Sequence, residues 1–455
     1  MRRLPIYRFL VLWAGQLVSG LGTGMTGFAL GVHVFNRTGS AAGFGLVVAA
    51  LFGPSILLRP IGGVLADRLD RRVLIIAGDL ASAAAVGFLL VSLARGELTL
   101  LRIYIGVALG SASQAVQSPA YKASISDVLG AKDFAKAGGM MQLASAAQHL
   151  LSPLAAGLLL ATAGLGVILI IDVATFGFAV AAVLSLRARA EVYSASGAAR
   201  SPGRGTDGRA TEAGGRRISP LRELGDGLRA LRANGEALEM VLVISLVTFF
   251  VGLLQTLFAP MMLSLTDSKT LGVVQSVSAS GMIASSLLIG ALGTPFTPRK
   301  TTMLGLSAAG VFLVLLGTST NIVWITVSFF AFFLCLPLVN TGAEVAIRTA
   351  IPNEFQGRVW GTVGLLSQLG YITAYLSAGA LADALFTPLL MPQGALAQSV
   401  GRVFGVGPGR GIAFMLSLAG IGLTLTAALA SARAARALRG PRGPLQNARE
   451  EAYQS

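Results

Sequence analysis

Charge is what this chain has least of: 12% of its 455 residues are Asp, Glu, Lys or Arg, where a soluble domain carries about 25%. A water-soluble fold is therefore excluded. Cysteine is nearly absent too. The single Cys335 lies inside an apolar run, which rules out an intramolecular disulfide and a cysteine metal cluster. There is no G-x4-G-K-[ST] loop, so ATP is not the energy source. No H-E-x-x-H, nucleophile elbow or cysteine–histidine cluster occurs, so neither a catalytic site nor a cofactor or metal is expected. Acid is scarcer than base, 20 against 35, leaving a net charge of +15. That excess lies mainly between apolar runs, where it sets topology rather than binding nucleic acid. Arg2, Arg3 and Arg8 precede an apolar run reaching about Val34 without a cleavage site, so this run reads as a first span, not a signal peptide.

What is abundant is apolar length. Hydrophobic residues make up 54% of the chain, mean hydropathy is +0.73 and there are 57 glycines, a composition suited to close helix packing in lipid. Uninterrupted runs of about 20 residues select helices over a barrel's short alternating strands. Twelve spans are expected, at 10–33, 43–66, 73–94, 100–121, 139–162, 166–187, 239–262, 271–293, 301–318, 322–346, 360–385 and 409–432. Placing the N-terminus in the cytoplasm puts 28 Lys/Arg in inner segments and six in outer loops, so both termini are expected inside a cytoplasmic (inner) membrane. The polar break at 188–236 then divides an N-terminal half (1–187) from a C-terminal half (237–432), with a cytoplasmic tail at 433–455. The sequence thus predicts an all-α integral membrane protein of twelve transmembrane helices in two pseudo-symmetric six-helix halves. Within the break, Ser194–Arg217 has the composition of a disordered linker. Ser219-Pro220 followed by Leu221, Leu224, Leu228 and Leu231 predicts a short amphipathic helix near 219–233.

The densest information lies in Gly62-Gly63-Val64-Leu65-Ala66-Asp67-Arg68-Leu69-Asp70-Arg71-Arg72, a charged turn between the second and third spans. It recurs in weaker form: Gly290-x-Leu292-Gly293-Thr294 lies between spans eight and nine, and Arg299-Lys300 echoes Arg71-Arg72. Leu129…Asp133-Phe134 is likewise echoed by Ile351…Glu354-Phe355. Paired halves are a common transporter plan. The acid is missing from the second turn, which makes the first the expected gating element.

With these residues in view, the chain resembles the major facilitator superfamily over nearly its whole length, outside the linker and tail. The turn is similar to that superfamily's G-x-L-A-D-R-x-G-R-[RK] signature, with Asp70 in place of its second glycine. Phe9-Leu10…Trp13-Ala14-Gly15-Gln16-Leu17-Val18-Ser19, Phe35-Asn36-Arg37-Thr38-Gly39-Ser40, Gly78-Asp79-Leu80 and Ile351–Val359 resemble the branch containing macrolide-efflux proteins and the enterobactin exporter. The resemblance implies a monomer in the lipid bilayer that exports an amphiphilic small molecule against protons by alternating access. It also implies that Gly63, Asp67, Arg68, Arg71 and Arg72 form a gate, Arg71 pairing with Asp127. The antiporter pattern G-x8-G-x3-G-P-x2-G-G is met in span five by Gly139, Gln148, Ser152, Pro153, Ala156 and Gly157, keeping two of its five glycines.

Charges within the bilayer are costly and mark functional candidates. Arg59 and Asp79 lie ten residues on either side of Leu69, so both sit about 15 Å from the turn. Equal height allows an ion pair, either static or opened by protonation of Asp79, or else leaves the two side chains facing different neighbours. Asp67 is expected to face the positive N-terminus of a helix in the other half, near Trp360. Glu344 is a further proton-coupling candidate, although Arg348 at i,i+4 predicts an ordinary pair. Asp172 and Asp383 fall near the outer face, where solvation suffices. His149 is expected as a packed, hydrogen-bonded imidazole. Polar stripes outline a cavity: Gln16, Ser19, Thr23 and Thr26 in span one, Gln114 and Gln117 in span four, Gln142 and Gln148 in span five. Ser245, Thr248 and Gln255 in span seven and Asn340 in span ten extend it. Phe249, Phe250, Phe258, Phe329 and Phe330 suit a bulky apolar ligand or plain packing. Residue physics alone leaves a proton symporter importing a small metabolite as the rival direction. A lipid-handling membrane enzyme lacks a nucleophile or metal cluster, and a sensor lacks room for an effector domain. The segment 386–408 reads as a lid or a passive loop.

Overall fold

Polar residues at the ends of the apolar runs supply the caps that lengthen them into helices. Ser40 accepts from Gly43 N, Thr99 from Arg102 N, Asn234 from Ala237 N and Asp267 from Thr270 N. The computed structural model describes residues 4–129, 133–187, 228–229, 231–232, 234–294, 296–351 and 353–439. Twelve long helices run through them: α1 Leu4–Thr38, α2 Ala41–Arg68, α3 Arg71–Ala94, α4 Leu100–Val128, α5 Phe134–Thr162 and α6 Gly164–Arg187. They continue as α7 Gly235–Leu263, α8 Ser268–Leu292, α9 Pro298–Gly317, α10 Ile322–Ala350, α11 Asn353–Leu381 and α12 Arg410–Arg439. Eleven are long and apolar enough to cross a membrane; α4 falls outside that set. It is as long as α5, at 29 residues, but carries Arg102, Gln114, Gln117 and Lys122. Of the expected linker helix, Leu228, Arg229, Leu231 and Arg232 are helical, with Leu231 fully buried; residues 188–227 lie outside the described set.

The two halves share one packing plan. In the first, α1 packs on α5 and α6, α4 lies between α2 and α3, and α3 also meets α6. Adding six to each number gives the second half: α7 with α11 and α12, α10 between α8 and α9, and α9 with α12. Between the halves the main contacts are α5 with α8 and α2 with α11, also related by that shift.

These cross-half contacts sit at one end. The cluster shared by both halves draws its N-half members from residues 28–35, 41–49 and 160, all on the side away from the chain ends (the distal side). On the side carrying the chain ends (the terminal side), Leu12, Ala66, Leu74, Ile75, Ala120 and Val183 form a cluster of the N-half alone. Phe9, Ile125, Leu129 and Ala137 form another. Among the described residues, the N-half joins the shared cluster only on the distal side.

The distal segment after α11 is built largely of short helical turns. A π-helical turn at Ala382–Phe386 and helical turns at Thr387–Leu389 and Gly401–Phe404 pack against α12, with Leu390 fully buried. Arg410, 3% exposed, donates to the carbonyls of Phe404 and Ser319. The chain turns back into α12 through Gly405, Gly407 and Gly409 at φ of 84°, 119° and 76°, a region that favours glycine.

Candidate functional site

Along the cavity-side face of α1, Gln16 is half-buried and Ser19 and Thr26 are buried. Gln16 donates its amide to Asp79 Oδ2 at 3.1 Å, and Gln117 of α4 donates to Asp79 Oδ1 and, at 3.0 Å, to Gln16 Oε1. Three helices therefore meet at one fully buried carboxylate. The sequence identified all three residues but not their union. The Arg59–Asp79 pair that equal height allows does not form: Arg59 is exposed, and both Asp79 oxygens are taken by the glutamines. Residue counting placed the two at equal height but could not fix which way each faces around its helix.

The gating turn is built as its motif suggests, with one adjustment. Asp70 caps α3 by accepting from Arg72 N at 2.9 Å, which explains why an acid serves in place of the signature's glycine. Arg71 donates to the Ala123 carbonyl at 2.8 Å and to that of Ala66 at 3.4 Å, tying α3 to the ends of α2 and α4. The side chain of Asp127, its expected partner, lies outside the described set. Gly63 meets open space, and Asp67 and Arg68 are exposed. Asp67 forms no hydrogen bond or ion pair with a described residue; the side chains at 353–358, where its expected contact near Trp360 begins, lie outside the described set. In the other half Arg299 pairs with Glu239 at 2.6 Å and donates to the Ala430 carbonyl at 3.1 Å, binding α9 to α7 and α12.

Other cavity candidates divide. Gln114 and Gln148 are half-buried, and Gln142, Gln255 and Asn340 are exposed. A side chain at Gly20 would strike the Gln148 amide, so that glycine makes room for it. His149 is exposed rather than packed, its Nδ1 2.9 Å from the Ser145 carbonyl. The Ser245 and Thr248 hydroxyls satisfy carbonyls of their own helix, and Thr248 and Gly252 abut Gly370, Tyr371 and Ala374 of α11. That part of the α7 stripe is a helix contact. Glu344 forms the expected pair with Arg348 at 2.7 Å, both well exposed. Phe258, Phe329 and Phe332 are core, with Phe258 and Phe329 rings 3.9 Å apart.

At the closed end, sequence reasoning missed two features. Tyr371 and Tyr375 stack at 5.8 Å, Phe52 of the other half approaches Tyr375 at 5.7 Å, and Tyr375 donates to Gln255 at 2.7 Å. Two tyrosines at i,i+4 in an apolar run were the available signal. The second is Asp383, which is not merely solvated. It accepts from Ser40 Oγ at 2.7 Å and from the backbone N–H of Ala41 and Ala42 at 3.1 and 2.8 Å. It thus caps a helix of the other half. Beside it a side chain at Gly379 would meet Ala42 Cα at 2.5 Å.

On the opposite seam, the two survivors of the antiporter pattern's end do the closing. A side chain at Gly157 would meet the Ser268 carbonyl at 2.5 Å and Gly272 Cα at 3.2 Å, and Gly272 itself lies against the Pro153 carbonyl. Ser276 donates to the Leu150 carbonyl at 2.5 Å. Gly139 meets open space.

The family model of the Major Facilitator Superfamily matches residues 12–375. The chain belongs to that superfamily. It is 24% identical to macrolide efflux protein A of Streptococcus pyogenes over 390 residues, 83% of this chain and 89% of that one. It is 29% identical to the enterobactin exporter EntS of Shigella flexneri over 157 residues, 34% of this chain and 38% of that one. The fold is similar to the solved structure of the POT family transporter PepTSo, with a TM-score of 0.67 and 14% identity, covering 96% of this chain and 99% of that one. The chain is thus a multi-pass membrane transporter and not an enzyme.

Proposed function

We propose that this transporter exports an amphiphilic, weakly charged molecule of macrolide or siderophore type in exchange for protons, by alternating access. The observation that carries the reading is an asymmetry among the described residues: the halves meet along two distal seams, and on the terminal side the N-half clusters form without the other half. Both termini are then cytoplasmic, in keeping with the Lys/Arg bias, and the terminal side faces the cytoplasm of an inner membrane. Relatives named for macrolide efflux and enterobactin export support the outward direction. Gln16, Gln114, Gln117, Gln142, Gln148, Gln255 and Asn340 offer neutral donors and acceptors, and Tyr371, Tyr375 and Phe52 supply an apolar floor.

Asp79 is the proton site in this reading. Its carboxylate is reached through Gln16 and Gln117, so a proton there loosens the bond between the cavity wall and α3. Asp67 belongs to the alternative state. When the terminal side closes, it meets the N-terminal end of α11, and that contact sets the balance of populations.

The test is survival of an efflux-deficient host against hydrophobic antibiotics, with and without a protonophore. Protection by the wild type that the protonophore abolishes is expected, with Asp79→Asn inserted normally but unresponsive to the pH gradient in proteoliposomes. An unchanged pH dependence in that variant rejects Asp79 as the proton site, and protonophore-resistant protection rejects proton coupling. Full transport by Asp67→Asn removes the gate.

A further inference from the structure

A second carboxylate is buried in the N-half and takes no part in that scheme. Asp172 of α6 is 0% exposed, contrary to its expected place in solvent. Its Oδ1 receives a long contact from Thr175 Oγ at 3.5 Å, that hydroxyl being committed to the Asp172 carbonyl at 2.7 Å, and the Thr26 hydroxyl stands beside the carboxyl. Its Oδ2 has no hydrogen-bond partner. Across from it stands Gly22 of α1, where a side chain would come within 2.6 Å of Oδ1; α1 can close over the acid only because that position is bare.

The surroundings repeat the deficit. Thr23 and Thr26 Oγ1 and His33 Nε2 on α1, and Ser82 Oγ on α3, are also buried without a partner. At about 100° per residue, Gly22, Thr23, Thr26 and His33 share one sector of α1 roughly 100° wide. Buried unsatisfied groups are rare, and each calls for an explanation. Here they line one helix from the acid toward the distal side.

We propose that Asp172 is a proton-binding site distinct from the Asp79 cluster, with the neighbouring Thr26 hydroxyl as the partner of its protonated carboxyl. The proton supplies what the site lacks. A protonated carboxyl donates its own O–H to a neighbouring hydroxyl oxygen, and no charge is left unpaired in the hydrocarbon. The proton comes from water and returns to it, so nothing else is consumed. A metal ion is the poorer occupant, since no cluster of three or more His, Cys, Asp or Glu exists among the described residues.

The helices packed on α6 are α1, α3 and α5. Their titratable groups are His33 on α1, Asp79 on α3 (already held by two glutamines) and His149 on α5, with Tyr7, Arg8, Arg37, Arg71, Arg72 and Lys136 toward the helix ends. None forms an ion pair or hydrogen bond with Asp172 among the described residues.

This proposal deepens the proton-coupled reading, and its test needs no transported molecule, so the two can fail separately. Infrared difference spectra of the full chain in lipid, between acid and alkaline buffer, should contain a carboxylic C=O band lost in Asp172→Asn and kept in Asp79→Asn. Thr26→Val should shift that band, through loss of its hydrogen-bond partner, while leaving the fold intact. If Asp172→Asn does not fold, the Thr26→Val shift decides: a moved band supports the site. An unmoved band overturns it. A spectrum unchanged by Asp172→Asn also overturns it, as does a band that follows sodium at fixed pH.

Discussion

The two seams that close the distal side are equivalent in the pseudo-symmetry but are made differently. Between α5 and α8 the closure is steric: Gly157, Gly272 and Pro153 bring backbone against backbone. There the N-terminus of α8 is capped by its own Asp267, which accepts from Thr270 N at 2.8 Å. Between α2 and α11 the cap comes from the other half, through Asp383. Both seams bring backbone close to backbone, at Gly272 and at Gly379, but only the α2–α11 seam adds a charge placed across the gap. Opening of the distal side requires both to part, and only the second carries a charged group on which that opening can turn.

The largest effect is expected from shape. Gly272→Leu drives a side chain into the Pro153 carbonyl, and overpacking of this kind costs about 1–3 kcal/mol or more. The distal side should fail to seal, with transport lost and thermal stability in detergent lowered. Gly290→Leu, on the same helix but facing open space, should change neither. Equal behaviour of the two variants would remove the steric account of this seam.

Asp383→Ala is next. It uncaps α2 from the far half at a cost of about 1–2 kcal/mol, a five- to thirtyfold shift toward distal opening. Labelling of a cysteine introduced at Gly45, which packs against Gly379 Cα and the Tyr375 carbonyl, should rise accordingly in a Cys335→Ser background. Asp267→Ala should cost about 1 kcal/mol of helix capping with no change in distal labelling. If both caps moved the labelling alike, the difference between the seams would vanish.

Asp267 also carries a pH signature. Hydrogen bonds from Thr270 hold its carboxyl below the ordinary carboxylate value, so its contribution is present above that value and fades as pH falls through the lowered one. Acid titration of wild type against Asp267→Asn should show a small difference that narrows only in strong acid. Smallest of all is Glu344→Gln. Its exposed i,i+4 pair with Arg348 is worth about 0.3–0.5 kcal/mol, and pH-driven transport should persist. A large loss would instead return Glu344 to the proton-coupling candidates.

Much of the fold was legible because hydrophobic length and charge placement act residue by residue along one dimension. Helix starts at Ser40, Thr99 and Asn234 follow the same local logic. Side-chain partnership is different, since residue counting gives a height and not a direction around the helix axis. Arg59 and Asp79 share a height and face apart, whereas Gln16 and Gln117, read as cavity lining, converge on Asp79. Asp172 and Asp383 were placed by depth alone; packing of α1 buried one, and the π-helical turn after α11 swung the other onto α2. Ser245 and Thr248 carry the polarity of a cavity wall and the size of a helix contact, and only tertiary packing chooses between them.

The Gln16–Asp79–Gln117 junction has one more consequence. Its amides belong to helices that border the cavity, while its acid belongs to α3, whose opposite face exposes Leu80, Phe88 and Val91 to the acyl chains. A squeeze applied by the surrounding lipid and a guest arriving in the aqueous cleft thus press on the same three side chains from opposite sides. Turnover in proteoliposomes is therefore expected to vary with acyl-chain length, with no residue altered.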